Sequence, residues 1–281
     1  MTAADLALHE LRSAEELAEA RLQSSDRAAL ERLLCEQLVG QESWTLPGVC
    51  QACDRAVAFH GDWLYSDGRT INFRERLVCP SCQLNNRQRF MAQLLRGRVS
   101  GASTTYLYEQ VTPFYAWATA NLPGRIVGSE YLGHDVAGGS EVEGVRHEDA
   151  LALSFADSSL GAIVSNDVFE HVPDIDRSLA ECARVLSPGG RLFFSIPFHE
   201  TPATRQRATL RDGELVELLP PEYHGNPVDP EGSLVFYDHG WDILDRCRTA
   251  GFADAYVLAY WSLLYGYLGA GLQLTFVAEL S

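Results

Sequence analysis

Cys50 and Cys53 stand in a C-Q-A-C segment and Cys79 and Cys82 in a C-P-S-C segment, with 25 residues between the two pairs. Each C-x-x-C spacing can form a tight knuckle presenting two thiolates, and two knuckles complete the tetrahedron of a closed structural zinc site. Four sulfur ligands leave no open coordination position, so the chemistry expected there is structural. The gap exceeds the commonest spacing of paired C-x-x-C sites. Iron is the alternative that thiolates alone leave open, and two disulfides are disfavoured in a reducing compartment. Cys35, Cys182 and Cys247 sit among apolar residues on expected helices and read as small buried hydrophobes.

A second set of residues follows the ends of expected strands: Glu109-Gln110, Glu130-Tyr131, Asp149-Ala150, Asn166-Asp167 and Phe198-His199-Glu200. In open α/β sheets the ligand lies at the carboxyl ends of the strands, so these are the positions where chemistry is expected. A carboxylate after the second strand can accept two hydrogen bonds from a vicinal diol, which suits Glu130, and Tyr131 beside it can stack on a purine. Asp149 can accept from an adenine amino group, and Asn166 with Asp167 would line the crevice floor. An acidic crevice favours a cationic ligand.

The elements that must position these groups fall into three regions. In residues 1–45, Leu6, Leu11, Leu17 and Leu22 recur at roughly helical spacing, and DRAALERLLCEQLV follows Ser24-Ser25 and stops at Gly40, so two amphipathic helices are expected. They either cover the next module or serve dimerisation or as a lid. Residues 46–100 hold the cysteines, between which VAFHGDWLY and RTINFRERLV predict a β-hairpin turning at Asp67-Gly68. Arg87 and Arg89 open a helix there, either pairing with acids of the neighbouring domain or contacting an anion. From 101 to 281 expected strands (104–108, 125–129, 144–148, 160–165, 191–197, 255–260, 274–280) alternate with helices (113–122, 175–186, 241–250), with Pro188-Gly189-Gly190 and Gly251 as stops. That alternation argues for a doubly wound, mainly parallel sheet of the Rossmann-like α/β class, preceded by the helical segment and a small zinc-ribbon-like module.

Composition narrows the function. All 22 basic residues are arginine, which excludes Schiff-base lysines, lysine general bases and phosphate-loop lysines. The net charge of -16 divides as -5 over residues 1–45, +4 over 46–100 and -15 over 101–281. Such a chain is a poor nucleic-acid binder, since phosphate contacts need a basic surface. Without a membrane-length apolar run or a basic, apolar leader, a cytoplasmic protein without membrane partners is expected.

The stretch VRHEDALALSFADSSLGAIVSNDVFEHVPDIDRSLAECARVLSPGGRLFFSIPF resembles the third-to-fifth-strand core of the class I S-adenosylmethionine-dependent methyltransferases, with an acid-containing turn, an E-H-V segment at Glu170–Val172 and a helix-P-G-G-strand passage. With GSEY, WDILDRCRTAGF and LTFVAEL the resemblance covers roughly 103–281. It implies S-adenosylmethionine as cofactor beside structural Zn2+, with Glu109, Gln110, Glu130, Tyr131, Asp149, Ala150, Asn166 and Asp167 holding the cofactor. It also implies methyl transfer to a small-molecule or saccharide acceptor, for which His199 and His224 are candidate general bases; His171 either orients a loop or reacts. One departure stands out: where the family has an acid followed by a G-x-G turn, this chain has YLYEQVTPFYAW, with Glu109 near the acid position and no glycine. The alternative that this departure favours is a catalytically inactive descendant serving as a binding scaffold that uses the zinc module for partner contact. Residues 200–235, rich in proline, lie where such folds carry substrate-capping elements, and Tyr256, Tyr260, Trp261, Tyr265 and Tyr267 either stack on substrate or pack in the core.

Overall fold

The computed structural model describes residues 6–269 and 271–281. The chain divides into two compact units, Met1–Arg98 with Val257–Thr275, and Val99–Tyr256 with Phe276–Ser281.

The first unit contains strand β1 (Ala7–Leu11), helices α1 (Ala14–Gln23) and α2 (Ser25–Leu38), strands β2 (Ser43–Cys50) and β3 (Arg55–Asp62), and helices α3 (Phe73–Arg76) and α4 (Asn86–Arg96). Two expectations are corrected here. The leucine spacing from Leu6 predicts helix, yet Ala7–Leu11 is a strand whose burial alternates, pairing antiparallel from Ala7↔Trp261 to Leu11↔Val257. The helix begins after Ser13, whose hydroxyl accepts from the Glu16 amide and caps it, and Leu22 stays on the surface. The first five residues of the expected helical segment lie outside the described residues. The hairpin is also displaced: it pairs β2 with β3 and turns at the first cysteine knuckle, with Asp54 at φ 53°. Asp67 instead accepts from the amides of Arg69 and Thr70, a local turn that leads to the Asn72 cap of α3.

In the second unit, strands β4 (Thr104–Leu107), β5 (Arg125–Gly128), β6 (Leu160–Asn166) and β7 (Leu186–Ser195) alternate with helices α5 (Pro113–Asn121) and α6 (Ile175–Val185), and α7 (Ile243–Thr249) follows. Thr112 caps α5 through its hydroxyl, with Pro113 in the first turn where its missing N–H costs nothing. Asp174 caps α6, which buries Ile175, Ser178, Leu179, Cys182 and Val185, one stripe at helical spacing that is apolar except for Ser178. Strands β8 (Asp254–Trp261) and β9 (Gln273–Glu279) complete the mixed sheet in the order β1-β8-β9-β7-β6-β4-β5. The pairs β5/β4, β4/β6 and β6/β7 are parallel and β9/β7 is antiparallel, which gives the Rossmann-like α/β core.

Two further expectations differ. Residues 144–148 do not form a sheet strand: Val145–Arg146 pairs with Glu141–Val142 in a short hairpin, and only a parallel bridge Glu130↔His147 continues the sheet direction. The seventh strand is β1. Pro188-Gly189-Gly190 does not end an element but lies inside β7 as an irregularity, where pairing shifts between Leu160↔Leu186 and Ala162↔Arg191 and Gly189 takes φ 74°.

Residues 200–238 fold into three small antiparallel pairings: Arg205–Gln206 with Tyr237–Asp238, Ala208–Arg211 with Glu214–Glu217, and Tyr223–His224 with Ser233–Leu234.

Candidate active site and metal centre

The four knuckle cysteines converge in the first unit. Cys50 Sγ lies 3.8 Å from Cys82 Sγ and Cys53 Sγ 3.9 Å from Cys79 Sγ, and all four ligand atoms fall within 4.8 Å of one another. Sulfurs about 2.3 Å from a tetrahedral ion stand roughly 3.8 Å apart, so this donor set fits one such ion. Cys50 and Cys79 are buried and Cys53 and Cys82 partly so, and none forms a disulfide. Arg89 on α4 is fully buried against this centre. Its guanidinium lies 3.9 Å from the Phe59 ring centroid and donates to the carbonyls of Leu77, Tyr265 and Gly266. It interacts electrostatically with Cys50, Cys79 and Cys82, though burial, the largest influence, lowers its pKa. The expected pairing of Arg89 with acids is therefore corrected: carbonyls satisfy it, while Arg87 pairs with Glu75 of the same unit at 2.8 Å. Tyr260 stacks on Phe90 at 3.5 Å and Tyr267 is fully buried, so these aromatics pack the unit's interior.

The second cluster lies at the carboxyl ends of the parallel strands. β4 is followed by Glu109, buried to 7% exposure, whose carboxylate accepts from Asn166 Nδ2 at 2.6 Å and from the Thr112 hydroxyl. β5 is followed by Glu130, 9% exposed, whose Oε1 accepts from the backbone amides of Gln110 at 2.7 Å and Val111 at 3.0 Å. The turn that lacks glycine is thus held by a carboxylate from the next strand end. Gln110 spends its side chain on the 144–146 segment, donating to the Gly144 carbonyl and accepting from the Arg146 amide. Tyr131 is exposed and its ring adjoins His147 at 5.4 Å, while Asp149, half-buried with Ala150, accepts from the Leu151 amide. Asn166 ends β6 with its Oδ1 buried and without a hydrogen-bond partner. Asp167 takes φ 53° and accepts from Ser195 Oγ at 2.8 Å, so a strained backbone lies at the strand end nearest the expected chemistry.

Gly128 is a residue the sequence reading missed. A Cβ there would lie 2.4 Å from the Glu109 carbonyl oxygen and 2.5 Å from the Tyr115 ring, so glycine lets the turn after β4 approach β5. Gly128→Ala is expected to destabilise the second unit by about 1–3 kcal/mol through overpacking; a denaturation midpoint equal to that of the unsubstituted protein would show that the turn yields freely.

The two candidate bases face different carboxylates. His199 is exposed, with Nε2 3.6 Å from the carboxylate of Asp238. Burial raises the pKa of Asp238, but hydrogen bonds from Arg205 and Arg207 outweigh it and hold this carboxyl below the usual range. His224 meets Glu170, with Nδ1 3.7 Å from Oε1, and Glu222, with Nε2 3.3 Å from Oε1. The Glu170 carboxylate, then Glu222, raise the His224 imidazole above its ordinary range against the opposing effect of burial. A recess of about 210 Å³ lined by Thr104, Arg125 and Leu160 lies instead at the amino ends of β4, β5 and β6, away from these groups.

Residues 101–194 match a family model described as a methyltransferase domain. The chain is 47% identical over 57 residues to malonyl-[acyl-carrier protein] O-methyltransferase of Methylococcus capsulatus, covering 20% of this chain and 21% of that protein. It is 34% identical over 155 residues to a protein of Mycolicibacterium smegmatis named as a probable S-adenosylmethionine-dependent methyltransferase, covering 49% of this chain and 57% of that relative. The chain thus spans less than two thirds of the length of these relatives. A solved S-adenosylmethionine-dependent methyltransferase from Mesorhizobium loti aligns with TM-score 0.42 at 18% identity, over 66% of this chain and 95% of that one.

Proposed function

We propose that this chain, which carries a domain of the class I S-adenosylmethionine-dependent methyltransferases, transfers a methyl group to a small-molecule or saccharide acceptor. The observation that carries the reading is the convergence of Glu109, Glu130 and Asn166 at the carboxyl ends of three adjacent parallel strands, tied to one another through the turn after β4. Glu130 Oε2 is the oxygen not committed to the turn amides, and we assign it the ribose hydroxyls. Tyr131, Asp149 and Ala150 flank the adenine; Glu109, Gln110, Asn166 and Asp167 shape the pocket for the amino-acid end, with Gln110 acting through its backbone. The Asn166 Oδ1 acceptor fits a donor on that end.

S-adenosylmethionine supplies an electrophilic methyl on a positively charged sulfur. What remains for the protein is alignment, exclusion of water and removal of a proton where the acceptor carries one. His199 is the base we assign, because its ring is exposed and stands 3.6 Å from an Asp238 carboxylate that two arginines keep ionised. An O-methyltransferase name among the relatives supports an oxygen acceptor.

At the four cysteines we assign structural Zn2+, with Arg89 offsetting part of the negative charge that four thiolates bring to one ion. The buried free thiols of Cys35, Cys182 and Cys247 support a reducing, cytoplasmic setting. Among the described residues no helix is long and apolar enough to cross a membrane.

Calorimetric titration with S-adenosylmethionine and S-adenosylhomocysteine tests the reading directly. Binding of each in the micromolar range, about -8 kcal/mol, is expected; absence of binding to both overturns the assignment. Once an acceptor is found, His199→Ala should lower kcat about 10²- to 10⁴-fold while leaving the affinity for S-adenosylhomocysteine in place. A variant that keeps kcat removes His199 as the base.

A further inference from the structure

Glu170 and His171 form the short helical turn Phe169–His171 that follows β6, and His224 stands on the Tyr223–His224/Ser233–Leu234 hairpin of the insertion. The Glu170 side chain is fully buried, yet neither carboxylate oxygen has a hydrogen-bond partner. A carboxylate in that position is costly unless something positive completes it. Two ring nitrogens approach the same oxygen: His171 Nε2 at 3.6 Å and His224 Nδ1 at 3.7 Å, with the rings nearly perpendicular at 89°. These distances are too long for hydrogen bonds.

The outer nitrogens decide what the inner ones offer. His171 Nδ1 lies 2.9 Å from the Leu234 carbonyl, which only accepts, so Nδ1 carries the hydrogen and Nε2 presents a lone pair. His224 Nε2 lies 3.3 Å from Glu222 Oε1, which places the hydrogen on Nε2 and turns the Nδ1 lone pair toward Glu170. In the neutral rings three acceptors therefore converge with no donor among them, and their ligand atoms fall within 4.8 Å of one another. Ligands about 2.0–2.1 Å from a tetrahedral ion stand roughly 3.3–3.4 Å apart, a few tenths of an ångström inside the two nitrogen-to-carboxylate separations of 3.6 and 3.7 Å. A carbonyl or carboxylate behind each ligating imidazole is the support that protein metal sites use to fix tautomer and raise basicity.

We propose that Glu170, His171 and His224 form a second metal site, for a divalent transition ion of the class that imidazole and carboxylate bind, such as Zn2+. Three protein ligands leave one position open to water or another oxygen donor. The ion fastens the insertion hairpin to the loop after β6 and neutralises Glu170. In the metal-free chain a proton on His224 is the competitor for the same place. The proposal does not depend on methyl transfer, so it stands or falls separately from the reading of the strand-end cluster.

The test is cobalt(II) titration of the full chain after its four-cysteine site has been filled with zinc, followed by optical absorption and calorimetry. One further equivalent of cobalt is expected to bind, with d–d bands and no thiolate charge transfer. His224→Ala and Glu170→Gln should each weaken this binding at least about 100-fold, and Glu222→Gln, on a half-exposed residue that leaves all three ligands in place, about 10-fold. Failure of the full chain to take up a second ion would overturn the site and leave a protonated His224 facing Glu170. Uptake that is unchanged in both His224→Ala and Glu222→Gln would overturn the ligand assignment.

Discussion

Cys79→Ser is expected to lose one equivalent of zinc and to melt the unit that contains the knuckles well before the other. Cys79 is completely buried and its sulfur lies 3.9 Å from Cys53, in a cluster whose separations match a tetrathiolate edge. Binding energy at such a centre is folding energy, because the preformed set of thiolates does not exist in the unfolded chain. Around that centre the hairpin β2/β3 turns through Cys50–Cys53, and the Cys79 amide donates to the Leu84 carbonyl in the second knuckle. A serine oxygen is a harder and poorer ligand for zinc than a thiolate. Loss of about 3–5 kcal/mol is in the range reserved for removal of a metal or a buried network. In a unit of this size that corresponds to a drop of roughly 10–20 °C in Tm. Metal analysis and calorimetric melting check it together, and a variant that keeps both its zinc and its melting temperature removes the metal from this site.

Glu130→Ala is expected to weaken binding of S-adenosylhomocysteine about 10- to 100-fold, or roughly 1.5–3 kcal/mol, the cost of losing hydrogen bonds to a charged group. Two consequences combine. The ribose loses its acceptor in the proposed site, and the Gln110 and Val111 amides lose the oxygen that holds them at 2.7 and 3.0 Å. Glu130→Gln separates these effects, because its amide oxygen can still serve the turn while the charge is gone. Titration calorimetry on both variants, with melting curves alongside, reads the two contributions. A lowered Tm with unchanged affinity would make Glu130 a tie for the turn only, and the ribose assignment would fall.

Much of this arrangement follows from short-range pattern. The C-x-x-C knuckles are legible because both thiols of each pair come from one turn of chain, and β6 is legible because Leu160–Ser165 is a largely apolar run. The strand-end residues are legible for the same reason: once β4, β5 and β6 are located, Glu109 and Glu130 fall just past the first two and Asn166 at the end of the third. Helix α6 announces itself through the Asp174 cap and the spacing of Ile175, Leu179 and Cys182.

Contacts distant in sequence decided the rest. Ala7–Leu11 is a strand because its partner, Val257–Trp261, lies at the other end of the chain, and pairing outweighs a leucine spacing that alone favours helix. Arg89 ends among carbonyls of residues 265–266, which no charge pattern foretells. Gly128 acquires its meaning only when the Glu109 carbonyl packs over it. Glu170 and His171 read in sequence as a loop motif and His224 as a solitary base. Only the fold of the insertion turns His224 toward a buried carboxylate already facing His171. Sequence determined the chemistry available at each strand end and knuckle, because those groups are placed by local geometry; tertiary structure decided which distant groups share a charge or a tautomer, because burial and pairing across the chain set those energies.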